Sequence, residues 1–337
     1  MKTLLLLVAL IVTTHILGQN KKPEDFGYRF FEMVYKGDTV QMLVKSKKGE
    51  EEKPKPLLLF CQGSVPHPLI MWSDKGTYGV FPFNPDSLID AFHIAIVSKP
   101  CIPVMGEEKK LGKEMAYIDS TGKTPAAYYA RNYLDYYVNR NIAVIEFLQH
   151  KQFISKQQLV LAGHSEGSTI VAKLAYKCSR VTHLIYSGGN PLGRITSIVK
   201  QNRDQETDTD STRYAERVFT EWKRIADDPM NTDASDGDPN KTTYSFSEPP
   251  YTWLSKLKIP VLVCYGTKDW TSPYCDYLRI EMMRQHKNNF TFKAYIGTEH
   301  NYFPVQANGS VNYNVFNWNK VADHWKQWLD THLFPLH

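Results

Sequence analysis

The sequence predicts an α/β fold in which helices cover both faces of a mostly parallel sheet. Short apolar runs typical of buried strands alternate with amphipathic helical patterns along most of the 337 residues. The hydrophobic fraction of 42% and the charged fraction of 22% are those of a globular domain. No internal repeat is visible, so the alternation indicates one large domain with insertions.

The N-terminal segment, residues 1–18, is predicted to be a secretory signal peptide that is separate from the fold. Lys2 provides a basic start, residues 3–12 are almost wholly apolar, and Gly18 is a small residue at the expected cleavage position. The run is shorter than the roughly 20 apolar residues that span a bilayer, so we expect no stable membrane insertion. We therefore expect a secreted or periplasmic protein with its domain in residues 19–337; an uncleaved anchor is the alternative.

The first strands are expected to form an antiparallel hairpin ahead of the parallel sheet. Residues 28–35 and 39–44 are strand-like, and Lys36-Gly37-Asp38 between them is a turn signal. Further strands are predicted at residues 57–61, 92–97, 158–162, 183–186, 260–265 and 292–296. Because helical patterns lie among these later strands, we expect the strands to be parallel.

Four helices are predicted around these strands. The longest covers residues 124–149, with Thr124 as a possible N-cap and Pro125 in the first turn. The others cover residues 167–177, 273–284 and 319–329. Their apolar sides are expected to pack against the two faces of the sheet.

One segment, from about residue 190 to residue 255, interrupts the alternation. It is polar and contains one clear helical pattern, formed by Tyr214, Val218, Trp222 and Ile225. A connection of this length inside a compact domain usually serves as a lid or a binding insertion. The segment leaves the sheet where α/β active sites lie, which favours a lid over a plain surface excursion.

The strongest chemical signal is Gly163-His164-Ser165-Glu166-Gly167, placed between an apolar strand and a helix. A sharp strand–turn–helix connection leaves no room for side chains at the two glycines, and it holds a serine hydroxyl clear of the sheet. The helix that follows presents free N–H groups and a partial positive charge. Ser165 is therefore the predicted nucleophile; a purely structural glycine-rich turn is the alternative.

A serine nucleophile needs a base, and that base needs an acid to orient it. Asp269 follows the strand 260–265 after a Gly-containing turn, and His300 follows the next strand, 292–296. This order of serine, acid and histidine is the one that the strand–turn–helix motif requires. Asp269 and His300 are the predicted acid and base, although Asp276 and Glu299 are rival acids nearby.

The negative oxygen of a tetrahedral intermediate also needs backbone donors. The N–H of Glu166, directly after the nucleophile, is the first predicted donor. The second is expected in the loop that follows the strand 57–61, where Gly63 permits a close approach. Ser64 is the predicted second donor, with Val65 as the alternative.

Together these motifs resemble the α/β-hydrolase superfamily, over roughly residues 28–335. The resemblance is carried by Gly163-His164-Ser165-Glu166-Gly167, Gly266-Thr267-Lys268-Asp269 and Gly297-Thr298-Glu299-His300. The most similar groups are the prolyl-oligopeptidase-like and serine-aminopeptidase-like hydrolases and the small carboxylesterases. Many of these have His-Gly in the oxyanion loop, whereas this chain has Gln62-Gly63. The resemblance implies a Ser165–His300–Asp269 triad without identifying the substrate.

Three functions are compatible with these residues. The first is hydrolysis of a carboxylic ester through an acyl-enzyme on Ser165. The second is an aminopeptidase-like activity on short peptides in which the Glu166 carboxylate holds a free amino group, although a helix-dipole role is the simpler interpretation of Glu166. The third is a catalytically inactive binding protein, which the presence of all three triad residues disfavours.

Composition restricts the partners. The formal charge is +5 without a dense basic block, so no nucleic-acid site is predicted. The mechanism needs no metal or organic cofactor, and the cysteine spacing matches no zinc motif. The expected partner is therefore a small ester or a short peptide; the oligomeric state is not predicted. Five aromatic residues are candidates for lining the substrate pocket: Trp72, Tyr128, Trp222, Trp270 and Tyr302.

The cysteines and the Asn-x-Ser/Thr sites are considered because a secreted protein can acquire disulfides and glycans. The five cysteines are Cys61, Cys101, Cys178, Cys264 and Cys275. Cys61 and Cys264 are expected in the core, and no disulfide pairing follows from the sequence. Asn240, Asn289 and Asn308 lie in Asn-x-Ser/Thr sites, which matter only in a host that glycosylates secreted proteins.

Overall fold

A computed structural model describes residues 21–79, 81–208, 211, 213–235 and 237–333. The predicted signal peptide lies outside these residues. The main sheet has eight strands: β1 (Arg29–Tyr35), β2 (Asp38–Lys45), β3 (Lys55–Cys61), β6 (His93–Val97), β8 (Ile154–His164), β9 (His183–Ser187), β10 (Val261–Gly266) and β11 (Phe290–Tyr295). Their spatial order is β1-β2-β6-β3-β8-β9-β10-β11.

The strand directions confirm the predicted sheet. β1 and β2 form the antiparallel hairpin, and β2 pairs antiparallel with β6. The six strands from β6 to β11 in the spatial order are mutually parallel. Their carboxyl ends therefore meet at one edge, which collects the loops that follow each of them.

The helices are α1 (Asp86–Ile89), α2 (Ala126–Arg131), α3 (Leu134–Gln149), α4 (Glu166–Lys177), α5 (Arg194–Arg203), α6 (Tyr214–Asp227), α7 (Asn240–Phe246), α8 (Tyr251–Leu254), α9 (Ser272–Arg284) and α10 (Trp318–Leu333). Alternate residues of β3 point to opposite faces of the sheet. Leu57 and Leu59 belong to the core cluster that contains residues of α3, α4 and α9, whereas Leu58 and Phe60 belong to the cluster that contains residues of α1 and α10. Helices thus cover both faces, and the strands are apolar on both sides.

The prediction of one helix over residues 124–149 was wrong. Tyr133 is extended, with φ −144° and ψ 153°, and it separates α2 from α3. The interruption is stabilised from outside the segment, because Thr242 donates to the Asn132 carbonyl and Ser245 accepts from the Leu134 N–H. Thr124 is not the N-cap: Pro125 holds that position, and the Thr124 hydroxyl donates to the Tyr117 carbonyl.

A second sheet was not predicted. It contains β4 (Ile70–Ser73), β5 (Gly76–Tyr78) and β7 (Met105–Glu107), in the order β5-β4-β7. Each strand has only three or four residues, which is too short for an alternating pattern to stand out from loop sequence.

The segment between β9 and β10 contains α5, α6, α7 and α8. Only α6 was predicted. The other three are polar or short, and they are held by tertiary contacts such as the hydrogen bond from the Ile195 N–H to the Ser247 hydroxyl. Whether this segment moves as a lid stays a prediction.

All five cysteines are free thiols, and four of them are buried; Cys101 is exposed. Burial raises the pKa of the Cys61 thiol to about 12. None of the helices in the described part of the chain combines the length and apolarity that a membrane crossing requires.

In two of the three Asn-x-Ser/Thr sites the amide nitrogen, to which a glycan would be attached, donates an internal hydrogen bond. Asn240 is 5% exposed and donates to the Asp228 carbonyl. The Asn289 amide donates to the carbonyls of Leu257 and Ile259. Asn308 is exposed, and its amide oxygen accepts from the N–H and the hydroxyl of Ser310, which leaves the amide nitrogen on the surface for a glycan.

Candidate active site

Ser165 occupies the turn between β8 and α4. Its backbone has φ 57° and ψ −125°, a conformation that non-glycine residues rarely adopt. The turn is held by two hydrogen bonds, from the Ser165 N–H to the Ser187 carbonyl and from the Ser168 N–H to the Ser165 carbonyl, each 3.0 Å long. The fold therefore maintains a strained backbone at the predicted nucleophile.

The two glycines of the turn are required by close backbone contacts. A Cβ atom at Gly163 would lie 2.3 Å from the Gly167 carbonyl oxygen. A Cβ atom at Gly167 would lie 2.0 Å from the carbonyl oxygen of Cys61 in β3. Both distances are far inside van der Waals contact, so a larger residue at Gly163 would push against α4, and one at Gly167 would push against β3.

Asp269 lies in the turn after β10, and His300 lies in the loop after β11. His300 Nδ1 donates to Asp269 Oδ2 at 2.8 Å, and the Thr271 N–H donates to Asp269 Oδ1 at 2.9 Å. The Asp269 side chain is fully buried, and that of His300 is 12% exposed. The Trp270 ring stacks on the His300 ring with centroids 4.9 Å apart. These contacts hold the imidazole at a fixed orientation.

The rival acids have other partners. Asp276 is in α9 and accepts a hydrogen bond from the Tyr265 hydroxyl at 2.5 Å. Glu299 accepts the N–H groups of Asn301 and Phe303 within its own loop. Asp269 is thus the acid that the structure places against His300.

The loop after β3 approaches the nucleophile. A Cβ atom at Gly63 would lie 3.6 Å from the Ser165 Cβ, and Ser64 lines the same cavities as Ser165. The Ser64 carbonyl accepts a long hydrogen bond, 3.4 Å, from the Tyr128 hydroxyl. Glu166 is the first residue of α4, so its N–H has no acceptor within that helix. This arrangement is compatible with both predicted oxyanion donors, which stay predictions.

Two cavities meet at Ser165, Ser64 and His300. We call the first cavity A; its volume is about 300 Å³, and it lies toward α5. Cavity B has a volume of about 390 Å³ and is bordered by Phe60, Val65, Pro82 and Trp318, among others. Each cavity is large enough to hold one part of a small ester, with the acyl part on one side of the serine and the alcohol part on the other.

The Glu166 side chain lies at the wall of cavity A, where it is paired with the cationic side chains of Lys99 and Arg194. Lys99, which follows β6, places its ammonium 3.0 Å from Glu166 Oε1 although its side chain is 2% exposed. Arg194, the first residue of α5, places Nη1 3.6 Å from Glu166 Oε2, and its Nη2 pairs with Asp238. Burial lowers the pKa of Lys99, but the Glu166 carboxylate and Tyr137 together more than offset burial, so the pKa is raised overall. The sequence pattern contained no signal for Lys99 or Arg194.

His164 lies behind His300, with ring centroids 4.9 Å apart. Its Nε2 is 3.3 Å from Asn301 Oδ1, and its Nδ1 is 3.0 Å from the Ser187 hydroxyl. The Ser187 hydroxyl is in turn 2.5 Å from that of Tyr302. Burial first, and then the neighbouring His300, holds the pKa of His164 well below its usual value. A neutral His164 with its proton on Nε2 fits these contacts, because Nε2 then donates to Asn301 Oδ1 and Nδ1 accepts from the Ser187 hydroxyl.

The buried His164 is expected to make the protein less stable in acid. In the unfolded chain its pKa is about 6.5, so below that pH the unfolded state binds a proton that the native state does not. The free energy of unfolding should fall below pH 6.5 by up to ~1.4 kcal/mol per pH unit from this residue. In His164→Gln this part of the slope should disappear, as measured by urea unfolding between pH 7 and pH 5.

The control for this experiment is His150→Gln, because His150 is exposed. It should keep the wild-type slope. The comparison uses slopes, so a constant loss of stability in His164→Gln does not affect it. Equal slopes in His164→Gln and in the wild type would show that His164 is protonated in the native state.

Of the five candidate pocket residues, only Trp270 lines a cavity at Ser165. Tyr302 is buried behind His164, and Tyr128 is buried under Ser64. Trp222 stacks on Tyr244 in the inserted segment, and Trp72 lies under Lys21 beside a separate surface pocket. The position of an aromatic residue in the sequence did not distinguish pocket residues from packing residues.

Several solved structures share this architecture. Est1E from Butyrivibrio proteoclasticus, also solved with ferulic acid bound, has a TM-score of 0.53 at 16% identity, covering 90% of this chain and 98% of its own. Acylaminoacyl peptidase from Pyrococcus horikoshii has a TM-score of 0.57 at 12% identity, covering 92% of this chain and 42% of its own. The 2,6-dihydroxy-pseudo-oxynicotine hydrolase has a TM-score of 0.51 at 16% identity, covering 91% of this chain and 68% of its own. No family model and no curated protein matches the sequence.

Proposed function

Because the chain has the α/β-hydrolase fold, we propose that it is a secreted serine hydrolase that cleaves carboxylic esters. The observation that carries the proposal is the Asp269–His300 hydrogen bond of 2.8 Å beside Ser165, whose strained turn lies at the meeting point of two cavities. The secreted location rests on the sequence of residues 1–18.

In the proposed reaction the Ser165 hydroxyl oxygen attacks the ester carbonyl carbon, and its proton passes to His300 Nε2. The carbonyl oxygen becomes an oxyanion that the N–H groups of Glu166 and Ser64 stabilise. Collapse of this intermediate breaks the bond to the alcohol, which takes the proton from His300. Water then repeats the same steps on the acyl-enzyme and releases the acid. Asp269 holds the His300 tautomer and stabilises its charged form.

The charged cluster at Glu166 favours an ester over a peptide with a free N-terminus. An aminopeptidase-like role would need the Glu166 carboxylate to bind a substrate ammonium group. That carboxylate already lies against Lys99 and Arg194, and a third cation would be repelled by both. Glu166 is therefore better suited to an internal ion pair than to binding an ammonium group.

The proposal is tested by labelling with a fluorophosphonate probe and by a substrate panel. We expect the probe to modify Ser165, as located by mass spectrometry of peptides. We expect p-nitrophenyl acetate and butyrate to be hydrolysed, with a burst if deacylation is slow, and aminoacyl-p-nitroanilides to be left intact.

Two outcomes would contradict the proposal. A labelled Ser165 with a higher kcat/KM on the anilides than on the esters would make the protein a peptidase. An unlabelled Ser165 with no turnover of any substrate would favour the hydrolase-fold binding protein.

A further inference from the structure

A carboxylate lies next to the N–H group that would stabilise the negative oxygen of the reaction. Glu166 directly follows Ser165, and its own backbone N–H is the first predicted oxyanion donor. The short glutamate side chain joins that nitrogen to the carboxylate, so the two lie within about 6 Å of each other. The side chain is only 6% exposed, so water screens its charge poorly. Without a counter-charge, this carboxylate would oppose the oxyanion that forms beside it.

Lys99 is the hydrogen-bonded counter-charge of this carboxylate. Its ammonium donates to Glu166 Oε1 at 3.0 Å, and the lysine side chain is 2% exposed. Oε2 accepts no hydrogen bond among the described residues; Arg194 lies 3.6 Å from it but also pairs with Asp238. Lys99 therefore supplies most of the positive charge that balances Glu166. Lys99 borders neither cavity A nor cavity B, so it acts through Glu166 and not on a bound substrate.

Another buried lysine provides an internal comparison. Lys173, in the same helix α4 as Glu166, has a side chain that is 6% exposed and pairs with Asp135 at 3.0 Å and with Glu248 at 2.8 Å. It borders neither of the two cavities. Lys99 and Lys173 are thus similar in burial and pairing, and they differ in whether the partner carboxylate lies beside the nucleophile.

We propose that Lys99 is a positioning residue for the reaction, which neutralises the Glu166 carboxylate beside the oxyanion site. The inference rests on the proposed function and deepens it, because an oxyanion forms both when the acyl-enzyme is made and when water cleaves it. A neutral ester carries no charge before it reacts, so the loss of Lys99 should destabilise the transition state more than the bound substrate. Two unit charges about 8 Å apart, at an effective dielectric constant of about 20, change a rate by roughly thirtyfold.

The first test replaces Lys99 with methionine, which keeps the length of the buried side chain and removes its charge. We expect kcat for p-nitrophenyl butyrate and the rate of fluorophosphonate labelling to fall by about tenfold or more, with KM changed by less than about threefold. The matched control is Lys173→Met, which removes a similarly buried and ion-paired cation and should keep the wild-type kcat. Thermal unfolding of both variants checks their folding.

Glu166→Gln separates a role of the charge from a role in packing. Glutamine keeps an oxygen that can accept from Lys99 and removes the negative charge, so kcat should stay at or above the wild-type value. If the ion pair acted only by holding the turn, Glu166→Gln should lose activity as Lys99→Met does. The double variant, Lys99→Met with Glu166→Gln, removes both charges of the pair, and its kcat should return to within about threefold of the wild-type value.

The failure of this inference differs from failure of the proposed function. If the wild type cleaves esters, but folded Lys99→Met loses no more activity than Lys173→Met, the role of Lys99 is overturned. Loss of activity in folded Glu166→Gln, or no recovery in the folded double variant, overturns it as well. These two variants decide the question if Lys99→Met does not fold. If the wild type cleaves no ester and Ser165 is unlabelled, the proposed function fails, and this inference fails with it.

Discussion

Replacing Ser165 with alanine is expected to lower kcat/KM for p-nitrophenyl butyrate by ~10⁴-fold or more, because the acyl-enzyme route is lost with the nucleophile. Fluorophosphonate labelling should be lost in the same variant. The turn should persist, since alanine has the same backbone and Cβ as serine at φ 57° and the turn hydrogen bonds use backbone atoms. Activity is measured by nitrophenol release, and folding by circular dichroism.

The matched control is Ser155→Ala. Ser155 lies near the opposite end of the same strand, β8, and its hydroxyl accepts a local N–H, that of Gln157. It should retain wild-type activity and labelling. A Ser165→Ala protein that is folded and still turns over the ester at the wild-type rate would remove Ser165 from the mechanism.

Replacing Asp269 with asparagine is expected to reduce kcat by ~10³–10⁴-fold with a small change in structure. The asparagine oxygen can still accept from the Thr271 N–H, which leaves its NH₂ group facing His300 Nδ1. A donor in that position favours the tautomer with the proton on Nε2 of His300. That tautomer cannot accept the Ser165 proton. The measurement is kcat and KM on the p-nitrophenyl esters, with the loss expected in kcat.

Asp276→Asn is the control for the acid, because Asp276 is the rival acid and accepts from the Tyr265 hydroxyl instead of from His300. It should change kcat by less than about tenfold, as expected for a residue away from the reacting atoms. A larger loss in Asp276→Asn than in Asp269→Asn would reverse the assignment of the acid.

The strand ends were predictable because the relevant signals are local. An apolar run followed by a glycine-containing turn and a polar residue marks the carboxyl end of a buried strand, and this pattern placed Ser165, Asp269 and His300 in order. The parallel sheet brings those ends to one edge, so residues distant in sequence meet without further information. The hydrogen bond between Asp269 and His300 follows from that arrangement.

Non-local contacts were not predictable in the same way. The break between α2 and α3 depends on Thr242 and Ser245 from the inserted segment, since these satisfy backbone groups that a continuous helix would have satisfied itself. The intrinsic helical pattern of residues 124–149 continues across the break, so the sequence favoured one helix. In the short second sheet, β4 and β5 form a local hairpin, but the pairing of β4 with β7 joins segments that are distant in sequence.

By itself, the sequence determined the order of the eight strands of the main sheet and the three residues of the candidate triad, because strand periodicity and the glycines of a tight turn are properties of neighbouring residues. Only the tertiary structure decided what surrounds the serine. Glu166 is next to Ser165 in the chain, yet its partner Lys99 is 67 residues away. The charge and the hydrogen-bonding capacity at the wall of cavity A depend on side chains that folding brings together from α4, α5 and the loop after β6. Their burial and their distances are properties of the packed sheet and its insertion, and no local pattern records them.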